Sequence, residues 1–197
     1  MRGNSCESLR LCWHGAAVAC YQRELNSAPQ IHPIRFAAIF ACCFLVGIGV
    51  LLTPPLQTAD KVFSQMLVRV AHAVVQAFGG HATREAAVLR APGGFAVEMR
   101  DGCNAVNVVI LLCSAVLAFP ASWKLKLLGI GLGSLIIQAV NVVRFISLFY
   151  LGQYSMTWFD FAHAYLWESL IVLDTMVVFW YWVTRVLRAG AASHASA

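Results

Sequence analysis

The chain is organised around Arg100-Asp101-Gly102-Cys103-Asn104, a short polar stretch directly before the apolar run 105–119. It places a thiol at the mouth of a hydrophobic segment, just after a glycine and between polar groups. A nearby cation and a helix N-terminus both favour a thiolate, so the position suits a nucleophile. The remaining chain must then supply the groups that surround Cys103.

The composition is that of a membrane protein. Hydrophobic residues make up 60% of the 197 residues and charged residues 12%, whereas a soluble domain is typically about 45–50% apolar and about 25% charged. The length allows one compact domain. The net charge of +5 is spread along the chain without the basic and aromatic patch that nucleic acid requires. The composition therefore predicts contact with membrane lipid and none with nucleic acid.

The cysteine pattern singles out Cys103. The chain has seven cysteines, and no two of them form a C-x-x-C pair, so neither a thioredoxin-like nor a zinc-ribbon motif is present. We accordingly predict no cofactor and no metal. The other six are Cys6, Cys12 and Cys20 in the N-terminal segment and Cys42, Cys43 and Cys113 in apolar runs. Cys103 is therefore the one beyond the N-terminal segment that lies outside an apolar run.

Four apolar runs predict transmembrane helices, since about 20 residues cross a hydrocarbon core of about 30 Å. They are residues 36–52, 105–119, 127–143 and 166–183. Arg144 closes the third run, and the fourth is unusual in carrying Glu168 and Asp174. Carboxylates within a membrane are candidates for function, and buried structural hydrogen bonding is an equal alternative for these two.

Residues 61–78 predict a different kind of helix. Polar side chains recur at helical spacing along one side, and apolar side chains cover the other. The polar stripe consists of Gln65, Arg69, His72 and Gln76. We expect this helix to lie on the outer membrane surface, because Arg69 near its centre would be costly in lipid.

Residues 86–99 predict a β-hairpin that leads the chain to Cys103. Pro92-Gly93-Gly94 supplies the turn, and apolar and polar residues alternate after it. The fold class is therefore an all-α integral membrane protein with about four transmembrane helices, an outer-surface amphipathic helix and a small β-hairpin. The predicted domain spans 36–185, after a cytoplasmic segment 1–35 or an over-extended gene start, and a disordered tail 186–197 follows.

Lysine and arginine in the short loops set the predicted orientation. Lys124 and Lys126 mark the loop between the second and third spans as cytoplasmic, and Arg185 and Arg188 mark the C-terminal end. Segments 53–104 and 144–165 then face outward. The predicted membrane topology alone thus brings Cys103, Arg144 and His163 to one level of the membrane.

These three residue types fit acyl transfer from a peptide through a thioester. Cys103 is the candidate nucleophile, and His163 is the candidate general acid and base, since imidazole titrates near neutral pH. Arg144 stays charged and is the candidate for oxyanion stabilisation. Each residue alone also fits a plain role, as a packed cysteine, a snorkelling arginine or an interfacial histidine. Asn104 and Asn141 are candidate supporting residues, either for the site or for contacts between helices.

The ordered motifs resemble the exosortase/archaeosortase family of integral-membrane cysteine transpeptidases, most closely exosortase H. They are GGFAVE (93–98), DGCNA (101–105), LAFPA (117–121), KLLG (126–129), QAVNVVR (138–144), FYLGQ (149–153) and His163. The resemblance implies Cys103 as nucleophile with Arg144 and His163 as its partners. One departure is Ala105, where family members often have glycine after the asparagine.

The resemblance also implies a substrate and a location. The substrates would be secreted proteins whose C-terminal sorting region carries a short signature of the Ile-Pro-Thr-Leu type, a transmembrane helix and a basic tail. The enzyme would be a multi-pass protein of the bacterial inner membrane with its active site facing the periplasm. The sequence leaves open whether transfer or hydrolysis ends the reaction.

Two other functions share the span count. A four-helix thiol redox protein would require a second outward cysteine beside Cys103. A non-catalytic membrane subunit or anchor would require no reactive thiol.

Overall fold

The structure, a computed structural model, describes residues 32–195, so the expected cytoplasmic segment 1–35 lies outside the described residues as far as residue 31. The helices are α1 (Pro33–Leu51), α2 (Pro54–Ala77), α3 (Val106–Ala118), α4 (Trp123–Tyr154), α5 (Met156–Phe161) and α6 (Trp167–Ala195), with a π-helical turn (Ala162–Leu166) between α5 and α6. The strands are β1 (Thr83–Glu85), β2 (Val88–Arg90) and β3 (Ala96–Glu98). The mostly helical architecture confirms the predicted all-α membrane fold.

Three helical segments are long and apolar enough to cross a membrane: Pro33–Leu51, Trp123–Tyr154 and Met156–Arg188. The predicted span 105–119 is the shorter apolar helix α3, whose 13 residues extend about 20 Å. Features at both ends limit the length of α3. Ala105, before its first residue, has a left-handed backbone with φ of 59°. Phe119 caps its C-terminal end, and Pro120 follows Phe119 in the sequence. The protein is therefore a multi-pass membrane protein in which one apolar helix is shorter than the hydrocarbon core.

The first span, α1, is a peripheral helix. None of its side chains is buried, as expected for a helix that faces lipid. It packs on α3 at Gly47, where a Cβ atom would meet the side chain of Ile110 at 2.6 Å. The missing side chain of Gly47 lets these two helices approach closely.

The amphipathic helix α2 covers the sheet and α4. It begins at Pro54 and Pro55, which suit the first helical turn, and so starts earlier than the predicted residue 61. Its buried side chains recur every three or four residues, and they are Ser64, Leu67, Val68, Ala71 and Val75. The predicted apolar side differs from this face, because its members Val62, Met66 and Val70 are exposed.

The predicted hairpin 86–99 supplies two strands of a three-stranded antiparallel sheet, in the order β1-β2-β3. Gly94 makes the turn between β2 and β3, with φ of 90° and its N–H donating to Ala91 O at 3.0 Å. Strand β1 was not predicted. Its residues Thr83–Glu85 are polar and mostly exposed, so the sequence shows no alternation there.

The long helix α4 continues past Arg144, which we had expected to close the third span. Its 32 residues extend about 48 Å, well beyond a core of about 30 Å. The helix persists because Phe145, Leu148 and Phe149 after the arginine are all buried. Phe149 belongs to the core cluster that α2 and the sheet share.

The segment before the predicted fourth span is helical instead of a loop. Helix α5 and the π-helical turn lead directly into α6, so the helix of the fourth span begins before residue 166. At its other end α6 extends to Ala195 and includes most of 186–197, where the sequence predicted a disordered tail. Trp182 of α6 donates its ring N–H to Leu125 O of α4 at 2.8 Å, and this bond joins the two long helices at the end that carries the loop lysines.

Candidate active site

The turn that carries Cys103 is held between two left-handed residues. Gly102 has φ of 87° and Ala105 has φ of 59°, and Cys103 N–H donates to Arg100 O at 2.9 Å. This backbone reverses the chain between β3 and α3 and leaves Cys103 half-buried just before the helix. A left-handed alanine costs about 1–2 kcal/mol, so the surrounding contacts must stabilise the turn.

Asn104 supplies those contacts. It is 1% exposed, and its amide nitrogen donates to Asp60 Oδ1 at 2.6 Å and to Ser64 Oγ at 3.0 Å. Its Oδ1 accepts from Val106 N–H at 3.1 Å, which satisfies one of the free donors of the α3 N-terminus. The predicted supporting residue therefore ties the cysteine turn to α2 and caps α3.

Helix α4 holds the same turn from the other side. Gln138 donates from Nε2 to the backbone oxygen of Asn104 at 3.1 Å, and its Oε1 is buried without a hydrogen-bond partner. Asn141, one turn further along, is fully buried, and both polar atoms of its side chain lack a partner among the described residues. A row of unsatisfied amides in low dielectric is costly, and this one runs along α4 toward Arg144.

Arg144 lies on α4, three residues after Asn141. It is 5% exposed, and its guanidinium lies 4.0 Å from the carboxylate of Glu168 at the start of α6. The Glu168 side chain is 71% exposed, so the carboxylate lies at the protein surface while the guanidinium is buried. A buried cation requires compensating partners, and this carboxylate lies at the limit of ion-pair distance from it.

His163 lies in the π-helical turn between α5 and α6. A π-helical turn inserts an extra residue into a helix and is frequent at functional sites. The Nδ1 atom is buried and has no hydrogen-bond partner within residues 32–195, and the ring packs 5.8 Å from the ring of Phe159. Within that part of the chain, the hydrogen-bonding capacity of Nδ1 is therefore unused.

One hydrophobic cluster connects the three candidate residues. Cys103 packs against it, Phe145 next to Arg144 is one of its buried members, and Phe159 beside His163 also packs against it. Within residues 32–195, no hydrogen bond or ion pair joins any two of the three. Cys103 and chain neighbours of the other two residues thus share one cluster, and the catalytic roles of all three stay predictions.

Two residues of this arrangement were not predicted from the sequence. Asp60 and Ser64, the acceptors of the Asn104 amide, lie on α2, where the sequence drew attention to a polar stripe beginning at Gln65. Their spacing of one helical turn was the available signal. Of the two predicted membrane carboxylates, Glu168 lies 4.0 Å from Arg144, whereas Asp174 has a buried Oδ2 without a partner in the described part of the chain.

An apolar groove of about 710 Å³ lies beneath the turn, between α2, α3 and α4. Val106, directly after the turn, Gln138 and Val142 bring its wall close to the candidate residues. The other lining residues are Phe63, Met66, Leu67, Val70, Val109, Ile110, Gly131, Ser134, Leu135 and Ala139. Met66 and Leu135 are more than half exposed, so the groove is open on its lipid side.

Comparison with known proteins gave one match. A family model described as transmembrane exosortase (Exosortase_EpsH) matches residues 13–189. No curated protein and no solved structure matches the chain.

Proposed function

The chain belongs to the transmembrane exosortase family, and from this membership we propose that it is a cysteine transpeptidase or protease of the bacterial inner membrane. Its substrates would be secreted proteins with a C-terminal signature, a transmembrane helix and a basic tail. The observation that carries the proposal is the turn anchored by Asn104, which presents Cys103 directly before α3.

The proposed reaction begins when Cys103 Sγ attacks the scissile carbonyl carbon and its proton passes to His163. Arg144 stabilises the resulting oxyanion, since its charge is fixed and its ion pair with Glu168 is long, at 4.0 Å. The intermediate collapses as the C–N bond breaks, and His163 returns the proton to the leaving amine. The substrate is then held as a thioester on Cys103, which an acceptor amine or water resolves.

The apolar groove beneath the turn supports a membrane-anchored substrate. Its volume of about 710 Å³ and its open lipid side suit a transmembrane helix that enters sideways. The basic tail of such a substrate stays in the cytoplasm, at the end of the protein that carries Lys124 and Lys126. The scissile bond, at the opposite end of the substrate helix, would then lie at the level of Cys103 and face the periplasm.

The test is processing of a co-expressed secreted protein that carries a signature of the Ile-Pro-Thr-Leu type. We expect Cys103→Ala to abolish cleavage. We expect Arg144→Ala to reduce its rate by about 10²–10³-fold and His163→Ala by about 10²–10⁴-fold. Mass spectrometry of the new C-terminus identifies the cleaved bond and distinguishes transfer from hydrolysis.

The matched control is Cys113→Ala, which removes a thiol inside α3 and should leave processing unchanged. Cleavage that persists in Cys103→Ala would refute the proposal. Failure of a thiol-directed activity probe to label Cys103 in the wild-type protein would favour a non-catalytic subunit.

A further inference from the structure

The outer edge of β3 is open. Strand β3 pairs with β2 on one side, with Leu89 opposite Val97, and no further strand follows it in the sheet. Hydrogen bonds from Ala91 N–H to Phe95 O at 2.8 Å and from Met99 N–H to Ala87 O at 2.9 Å close the two ends of this pair. Phe95, Val97 and Met99 therefore use their backbone groups toward β2.

The residues between them point the other way. In a planar trans peptide the N–H and C=O groups are opposed, so the N–H and C=O of Ala96 and Glu98 are directed away from β2. Both residues are exposed, and none of the hydrogen bonds found within residues 32–195 reaches these backbone groups. Strand β3 thus presents two donors and two acceptors along a free edge.

This edge leads directly to the predicted nucleophile. After Glu98 the chain passes through Met99, which is 3% exposed, into the turn that carries Cys103. The turn is fixed at both ends, by Gly102 and by the hydrogen bonds of Asn104. A chain that extends along β3 is therefore brought to the thiol by a rigid connection.

We propose that an extended segment of the substrate pairs with β3 as a fourth strand and so delivers its scissile bond to Cys103. The inference rests on the proposed function. Main-chain hydrogen bonds of this kind hold a peptide with little demand on its side chains. They also hold it extended, the conformation in which a carbonyl group is open to attack.

The size of the edge favours a peptide over a second copy of this chain. Strand β3 has three residues, about 10 Å of chain, whereas a stable protein interface buries about 800 Å² on each partner. A peptide already tethered by its own membrane helix requires few further contacts, because tethering raises its effective concentration.

A cavity of about 310 Å³ with charged residues in its lining lies beside Glu98, at the end of β3 that leads to Cys103. Its lining includes Lys61, Glu98, Arg100 and Asp101, and Arg100 pairs with Glu98 at 3.6 Å. Charges of both signs make this cavity suited to a polar side chain of the paired segment. The neighbouring apolar groove differs from it in chemistry, and the two would accept different parts of one substrate.

The test is Ala96→Pro. Proline removes the outward N–H and places its ring on the free edge, and proline is tolerated at such edge positions. We expect processing of a co-expressed secreted reporter with the signature, helix and basic tail to fall by at least about tenfold. Labelling of Cys103 by a small methanethiosulfonate reagent should stay at the wild-type rate.

Two variants serve as controls. Ala96→Val keeps the N–H, so it should process the reporter at least several-fold faster than Ala96→Pro does. Arg84→Pro makes the equivalent change on the opposite edge, because Arg84 is the middle residue of β1 and its backbone groups also point outward; it should have little effect. Wild-type processing by Ala96→Pro would overturn the inference while leaving the proposed function intact.

If Ala96→Pro also loses labelling of Cys103, a proline scan of the reporter tests strand pairing instead. Strand pairing predicts that proline blocks processing at alternate positions beside the scissile bond, where the substrate N–H faces β3. Sensitivity without this alternation would overturn the inference. Failure of the wild-type protein to process any reporter would instead count against the proposed function.

Discussion

Asn104 determines where the predicted nucleophile lies, through one side chain that contacts two helices. Its amide nitrogen reaches Asp60 and Ser64 of α2, and its oxygen caps the start of α3. The sequence predicted a supporting role for Asn104, since an amide beside a cysteine suits one. It could not predict the partners, because Asp60 and Ser64 are distant in the chain and meet Asn104 only after folding.

We expect Asn104→Ala to slow substrate processing by about tenfold or more while the protein still inserts. The substitution leaves Val106 N–H and the α2 acceptors without partners, and each unsatisfied buried group costs about 1–3 kcal/mol. The measurement is the rate of processing beside the rate of Cys103 labelling. Ser64→Ala removes one bond of the set and should have a smaller effect, whereas equal effects of both variants would contradict a central role for Asn104.

Ala105 gives a physical meaning to the one departure from the family motif. The resemblance led us to expect glycine after the asparagine in many members, and the backbone here has φ of 59°. Glycine adopts this conformation without steric cost. Alanine at this position is 1% exposed. Its backbone strain is therefore offset in part by burial of its methyl group.

At the scale of elements, Phe95 joins the sheet to the helices. Its ring packs at 6.5 Å from the ring of Phe149 on α4 and at 5.9 Å from that of Phe159 on α5. Gly152 makes room for it, because a Cβ atom there would overlap the Phe95 ring. One side chain of the hairpin thus fixes β3 against α4, which carries Arg144, and against α5, which precedes the turn that carries His163.

We expect Gly152→Ala to destabilise the protein by about 1–3 kcal/mol, the usual cost of overpacking a core. Thermal unfolding in detergent measures the change. Gly131→Ala is the matched control on the same helix, because a Cβ atom there meets nothing within 4 Å. Adding Phe95→Leu should recover part of the loss, and an unchanged melting temperature in Gly152→Ala would show that Phe95 yields without cost.

The elements that the sequence predicts well are those with a local signal. Residues 36–52 are uniformly apolar, residues 61–78 have a clear helical period, and Pro92-Gly93-Gly94 marks a turn. The end of α4 has no such signal. The charge of Arg144 suggests a membrane boundary, and the helix continues because Phe149 and its neighbours are buried against the sheet, which is a tertiary effect.

At the scale of the whole molecule, the two ends of the bundle differ in chemistry. Lys126 Nζ donates to Leu117 O at 2.7 Å and Trp182 binds Leu125 O at one end. The sheet, the Asn104 turn and the pair of Arg144 and Glu168 lie at the other. The orientation predicted from basic residues makes the first end cytoplasmic.

We expect a membrane-impermeant thiol reagent to distinguish the two ends. Arg100→Cys should be labelled from outside intact inner-membrane preparations, since its side chain is 81% exposed. Lys124→Cys should be labelled only after permeabilisation. Both variants are compared with a Cys103→Ala parent to subtract native cysteines, and the opposite pattern would reverse the orientation.

The brevity of α3 has a consequence for the chemistry. Its 13 residues extend about 20 Å upward from Leu117, which Lys126 holds at the lysine end, and the hydrocarbon core is about 30 Å thick. With the lysine end on the cytoplasmic side, as the basic residues predict, a thioester on Cys103 would form below the outer boundary of the core, where water is scarcer. We expect that thioester to outlive one exposed at the surface and to await an acceptor that diffuses in the plane of the bilayer.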